Sequence, residues 1–254
     1  VEIMYKTVVR GRFNEILSDM SALQKVLLAV GKARDLHTAM TMPWLDTGAR
    51  LLPVKLYMEY VQKMRQAKDH FEKVVADFIA DYPNLVQKAE QNLGDMFKQS
   101  DYPSASDMAK KFDFIVTIIP VPDSDDIRLN LNDDDIDRIR RDAQATTEYT
   151  INNAMRSIWN RLREAVDGFH GMLADSDRKI FTSIANKVGD MCELAEKLNF
   201  TDDEHLYACV DTIRYNLVIQ DVDDIRKDKD FREETAGLAK HILDKIDDVI
   251  RMLP

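Results

Sequence analysis

The chain has 254 residues, 45% of them apolar, which is enough for a sizeable core, yet it holds only eight glycines and seven prolines. So few turn formers exclude a sandwich or barrel and favour long helices. A net charge of −10 excludes uniform non-specific attraction to phosphate backbones, though it is compatible with a local basic patch.

The first segment, IMYKTVV, is rich in β-branched and aromatic residues and predicts a strand at about 2–9. Val9, Phe13, Ile16, Met20, Leu23, Leu27 and Val30 then recur at spacings of three and four. That stripe predicts a helix from about 12 to 30, with Gly31 as its C-terminal cap.

TMPWLDTGARLLP, residues 41–53, interrupts the helical pattern. Two prolines, a glycine, a tryptophan and an Asp/Arg pair make it either a corner between helices or a presented loop. As a corner, Trp44 plugs the junction and Asp46 caps backbone N–H groups or pairs with Arg50. As a presented loop, Trp44, Asp46 and Arg50 are the candidate partner-binding residues. Pro53 sits where a first-turn proline belongs.

From Tyr57 to Met96 the apolar stripe continues through Pro83, which predicts two helices or one kinked helix joined at Tyr82-Pro83. Ser104 followed by Asp107 has capping-box spacing. FDFIVTIIPVPDSDDIRLNL then predicts a hairpin of 112–119 with 127–131. With the N-terminal strand it makes a small antiparallel sheet of two or three strands. NDDDID opens the longest helix, where acids favour the positive helix end. From Ile151 its stripe puts Ile151, Leu162 and Leu173 eleven apart, a nearly straight seam rather than a left-handed supercoil. Three more helices follow, at about 176–198, 202–219 and 229–252, with a Thr201/Glu204 cap and a polar linker, QDVDDIRKDKDF, before the last.

Motifs for chemistry are sparse. The sequence holds no phosphate loop, dinucleotide fingerprint, zinc-protease helix or nucleophile elbow. Cys192 and Cys209 have no Cys/His neighbours at ligand spacing and read as small apolar residues in a reducing compartment. The acid runs lack the glycine and distal glutamate of a calcium loop and read as helix caps. No catalytic residue, metal or cofactor is expected. One basic and aromatic cluster, Arg156, Trp159, Arg161 and Arg163, is a candidate nucleic-acid-binding face for single strands. Its competing reading is a core tryptophan flanked by solvated arginines.

TMPWLDTGARLLP together with LGDMFKQSDYPSASDMAKKFDFIVTIIPVP resembles an uncharacterised phage and bacterial family, domain of unknown function 3150, over about residues 40–131. The family has no assigned activity, so no functional residues carry over. The resemblance implies a phage or mobile-element protein encoded near MoxR-type AAA+ ATPases, and hence an adaptor or substrate for such a motor.

The expectation is a mainly α (α+β) chain forming one elongated domain, with long antiparallel helices, a small sheet and a C-terminal helical part from about 176 to 254. Its expected role is that of a non-catalytic scaffold or adaptor that self-assembles or binds a protein partner. The alternative is a single-stranded-DNA protein of phage replication or recombination. No signal peptide is visible and the apolar runs are too short to span a bilayer, so a cytoplasmic location is expected. The start at Val rather than Met leads us to expect residues before Val1. Far-UV circular dichroism should report helix above about 60%, against a base rate of about 30–35%; a value under about 45% would contradict the fold class.

Overall fold

The computed structural model describes residues 21–44, 48–120, 133–175 and 180–253. Among them are eight α-helices and one two-stranded antiparallel sheet, so the fold is mainly α with a small β element. Their contacts gather into two compact units, where the sequence reads as one domain.

The first unit joins the described residues up to Ala39 with Met58–Pro120. Helix α1, Ser21–Met40, buries Val26, Ala29, Val30 and Ala33. It runs straight through Gly31, the expected cap, because Ala33 extends the buried stripe beyond it; a helical glycine costs only about 1 kcal/mol.

Helix α2, Tyr57–Leu93, buries Tyr60, Met64, Phe71, Val74, Phe78, Tyr82, Leu85 and Ala89, the spacing of one amphipathic face. It is a single helix with Pro83 inside. Pro83 is exposed, while Tyr82 and Leu85 on either side of it are buried on the continuing apolar face. His37 Nδ1 lies 3.0 Å from the buried Tyr60 hydroxyl, a hydrogen bond between α1 and α2.

The short helix α3, Ala105–Ala109, starts where the sequence places it: Ser104 Oγ accepts from the Asp107 N–H at 3.2 Å and donates to the Asp107 carboxylate at 2.7 Å.

The expected strand at 112–119 is not formed. Phe112 makes one isolated bridge and 113–120 carry no regular structure. Rings anchor the segment instead: Phe112 packs edge-on to Phe78 at 5.7 Å and Phe114 against Phe71 at 5.6 Å. Beyond them Ile115, Ile118 and Ile119 are exposed, so no covered face rewards a ladder here. The expected strands at 2–9 and 127–131 lie outside the described residues.

The second unit joins Met40–Tyr57 with the described residues beyond 132. Strand β1, Met42–Pro43, pairs with β2, Arg50–Leu51, in the register Met42 to Leu51 and Pro43 to Arg50. The described sheet therefore lies within the residues 41–53 that the sequence marks as a corner.

Helix α4, Asp133–Ala174, packs against β1, against α5, Thr182–Leu198, and against α8, Lys229–Met252. Helix α6, Glu204–Ile213, and a π turn, Arg214–Val218, also pack on α5. Ile158, Trp159, Leu162, Val166 and Phe169 of α4 form the core with Val188, Cys192, Ala195 and Leu198 of α5 and with Ala239, Ile242 and Ile246 of α8.

Two local expectations change. The polar linker contains a helix, α7, Val222–Lys227, because Asp221 caps it and Val222 and Ile225 are buried. Asp203, not Thr201, caps α6 by accepting from the His205 N–H at 2.9 Å. The Thr201 hydroxyl points instead to Met155 Sδ at 3.3 Å.

Pro83→Ala restores a backbone donor and removes a ring clash inside α2. It should stabilise the protein by about 1–3 kcal/mol in urea unfolding.

Burial also sets the alkaline limit. It pushes the Tyr60 and Tyr82 phenols and the Cys192 thiol up to about 12, and the Cys209 thiol to about 11. The folded chain thus keeps these protons longer than the unfolded chain, whose thiols ionise near ~8.5 and phenols near ~10. Their contribution is complete below those values and is lost as pH rises toward 11–12. Urea midpoints should fall from about pH 9 upward, and a flat profile to pH ~11 would contradict this burial.

Candidate functional site

Three places are candidates: the hairpin of residues 41–53, the basic cluster on α4, and a cleft beside the π turn.

The hairpin turns at Gly48, whose φ of 81° is the left-handed region glycine enters freely. The Trp44 N–H donates to the Ala49 carbonyl at 3.1 Å, and the Trp44 ring is partly buried. Asp46 lies outside the described residues. Arg50 does not project to solvent; it reaches back across the hairpin. Its Nε donates to Thr41 Oγ1 at 2.6 Å and its Nη2 to the Thr41 carbonyl at 2.9 Å. Arg161 of α4 donates to the same carbonyl at 2.8 Å. Burial lowers the pKa of both guanidiniums, and for Arg161 the nearby Arg50 charge lowers it further.

Next along the chain, Pro53 opens a 3-10 turn, Val54–Leu56, instead of the long helix itself. Leu56 is fully buried, and Lys55 is tied to the α5–α6 corner. Its ammonium donates to Asp202 Oδ1 at 2.7 Å, the Asn199 carbonyl at 3.1 Å and Tyr207 Oη at 3.3 Å. These bonds, with Asp202 first, raise the Lys55 pKa, and the same ion pair lowers that of Asp202. Asn199, fully buried, braces the corner by donating to the Asp203 carbonyl at 3.0 Å and accepting its N–H at 2.9 Å. The hairpin is thus sewn to the core at both ends. Lys55 and Asn199 carry no local sequence signal, since their partners lie far along the chain.

The four members of the basic cluster do not make a stacking surface. Trp159 is 1% exposed, with a buried indole N–H that finds no partner among the described residues. Arg156 donates to the carbonyls of Ile250 at 3.1 Å and Leu253 at 2.6 Å, at the C-terminal end of α8. Arg161 is committed to Thr41. Arg163 holds Asp247 through Nε at 2.5 Å and Nη2 at 3.4 Å, which keeps that carboxyl below its usual range. Of the candidate single-strand face, the ring therefore lies in the core and the three arginines are engaged with carbonyls and a carboxylate.

The third place has no motif in the sequence. Between α5 and the π turn lies a cleft of about 390 Å³ lined by Asn186, Gly189, Asp190, Glu193, Arg214, Val218 and Ile219. In the π turn the Ile219 N–H donates to the Arg214 carbonyl, five residues back, at 3.0 Å. Arg214 forks onto Glu196 at 2.5 and 2.7 Å.

No protein-family model matches the chain, and neither do curated proteins or solved structures. Among the described residues, no group of three or more His, Cys, Asp or Glu side chains is placed to hold a metal ion, and no helix is long and apolar enough to cross a membrane.

The arginine bonds give a direct test. Arg161→Met keeps the stem but withdraws a charged donor from the buried Thr41 carbonyl. It should cost about 1.5–3 kcal/mol in chemical denaturation; a change below about 0.5 kcal/mol, the level of an ordinary surface substitution, would show that Arg161 does not hold the hairpin.

Proposed function

We propose that the protein is a non-catalytic interaction protein that self-assembles and serves as a scaffold or adaptor. One observation carries this reading. From residue 137 to 149, helix α4 has no buried residue; Ile139 and Ala143 are partly covered and the others are exposed. These thirteen residues span about 20 Å at ~1.5 Å per residue. A helical stretch of that length is marginal in water without a packed face.

A second copy supplies such a face. Ile139, Ala143 and the exposed Tyr149 offer apolar contact. Asp137, Asp142 and Glu148 are interspersed with Arg138, Arg140 and Arg141. An antiparallel partner centred near Ala143 therefore sets Arg138 of each copy opposite Glu148 of the other.

The likeness of residues 40–131 to the phage and bacterial family adds a setting. In that setting the assembly is a phage or mobile-element component, and a MoxR-type AAA+ ATPase is the motor it adapts or serves.

Light scattering on a sizing column tests the reading. The mass should rise from one chain toward two between about 1 and 100 μM, a range in which weak, small interfaces associate. Ile139→Asp should hold the chain monomeric without lowering its melting temperature. A monomer throughout that range would overturn self-assembly.

A further inference from the structure

We propose that the cleft between α5 and the π turn docks a basic segment of a partner protein, a lysine or arginine flanked by an apolar residue. This rests on the reading as an interaction protein but is independent of self-association through α4.

One wall is acidic. Asn186, Asp190 and Glu193 follow each other at helical spacing along α5, and all three are exposed. Among the described residues Asp190 and Glu193 make no hydrogen bond or ion pair. The cleft's own cation does not neutralise them. Arg214 is held two-pronged by Glu196, and Asp211 lies 4.0 Å from it as well. Carboxylates therefore outnumber cations at the mouth, and an incoming ammonium or guanidinium finds unpaired partners.

The other wall is apolar. Val218 and Ile219 line it, and Ile219 is 73% exposed; Tyr215, four residues earlier in the π turn, is 72% exposed. A lysine or arginine lays its methylene stem on such a wall while its head stays with the acids. A neighbouring apolar residue of the same segment then covers Ile219 and Tyr215, side chains of the kind that anchor interfaces.

Two features shape the cleft. Gly189 lets the π turn come close to α5 at its floor, since a Cβ there would stand 3.3 Å from Val218 Cγ1. The π turn holds Arg214–Val218 off the regular helical path with no glycine or proline in it to force the change. Such turns recur at functional sites because they re-aim side chains at a cost to the helix.

The test uses the full chain, labelled with 15N, titrated with a synthetic leucine–lysine amphipathic peptide and with its leucine–glutamate counterpart. The lysine peptide should bind saturably, with shifts concentrated at residues 186–193 and 214–219, and the glutamate peptide should not. Asp190→Asn with Glu193→Gln should weaken binding at least about tenfold, roughly 1.4 kcal/mol. Glu233→Gln with Glu234→Gln makes the same charge change on α8 and should weaken it less than about twofold, since removing distant surface charge alters only a screened interaction. Absence of saturable binding, shifts centred elsewhere, or equal weakening by both pairs would overturn the proposal. Any of these with a concentration-dependent mass intact would leave self-assembly standing.

Discussion

The burial of one stripe of α4 is the constraint on which the second unit depends. Thr150, Ala154, Met155, Ile158, Trp159, Leu162, Val166, Phe169 and Leu173 are all buried, and α5, α8 and the hairpin strand β1 pack around them. The same helix is bare from residue 137 to 149. Nothing in helix propensity separates the two stretches. What separates them is apolar content: the bare part offers Ile139, Ala143 and Tyr149 among charges and threonines. A core is built where apolar area can leave water, and the rest of the helix is carried along until another surface covers it.

Around that core, arginines serve as fasteners for carbonyls at the ends of elements. Arg161 and Arg50 meet at the Thr41 carbonyl, where α1 gives way to the hairpin. Arg232 of α8 donates to the Met172 and Leu173 carbonyls at 2.9 Å each, and to that of Asp175, closing the C-terminal end of α4. Arg156 does the same for the end of α8, and Arg226 reaches the Ile180 carbonyl at 2.9 Å. Helix ends leave four carbonyls unpaired, and a guanidinium satisfies two at once while opposing the negative end of the helix dipole. This use explains why an acidic protein spends so many arginines near its core, those of α4 at 156, 161 and 163 included.

Sequence periodicity made most helices legible. The stripes of α2, α4 and α8 identify the buried residues well because each is amphipathic over many turns. It failed where long-range contacts decide. Gly31 reads as a stop, but Ala33 continues the buried face. The run from Phe112 reads as a strand from its β-branched residues, yet it is pinned by Phe71 and Phe78 rings, which local pattern does not reveal. The described β pairing arose instead in the hairpin, where Gly48 takes a φ of 81°. For the candidate sites the difficulty was different. Trp159 and its arginines share a helix, and sequence alone does not tell a solvent face from a buried one when the charged side chains are long enough to cap distant carbonyls. The cleft at the π turn gave no signal, because a π turn has no residue requirement and Asp190 and Glu193 look like any solvated helix face.

Helix α4 is thus packed along one part and largely exposed along another. Native-state hydrogen exchange on the full chain, followed residue by residue at two protein concentrations, tests it most directly. Amides at 150–173 should be protected to the level of global unfolding at both concentrations. Amides at 137–149 should exchange quickly in dilute solution and become protected in concentrated solution, as a second copy covers them. Strong protection of 137–149 in the dilute monomer, or fast exchange there at every concentration, would contradict the proposal that a second copy covers this stretch.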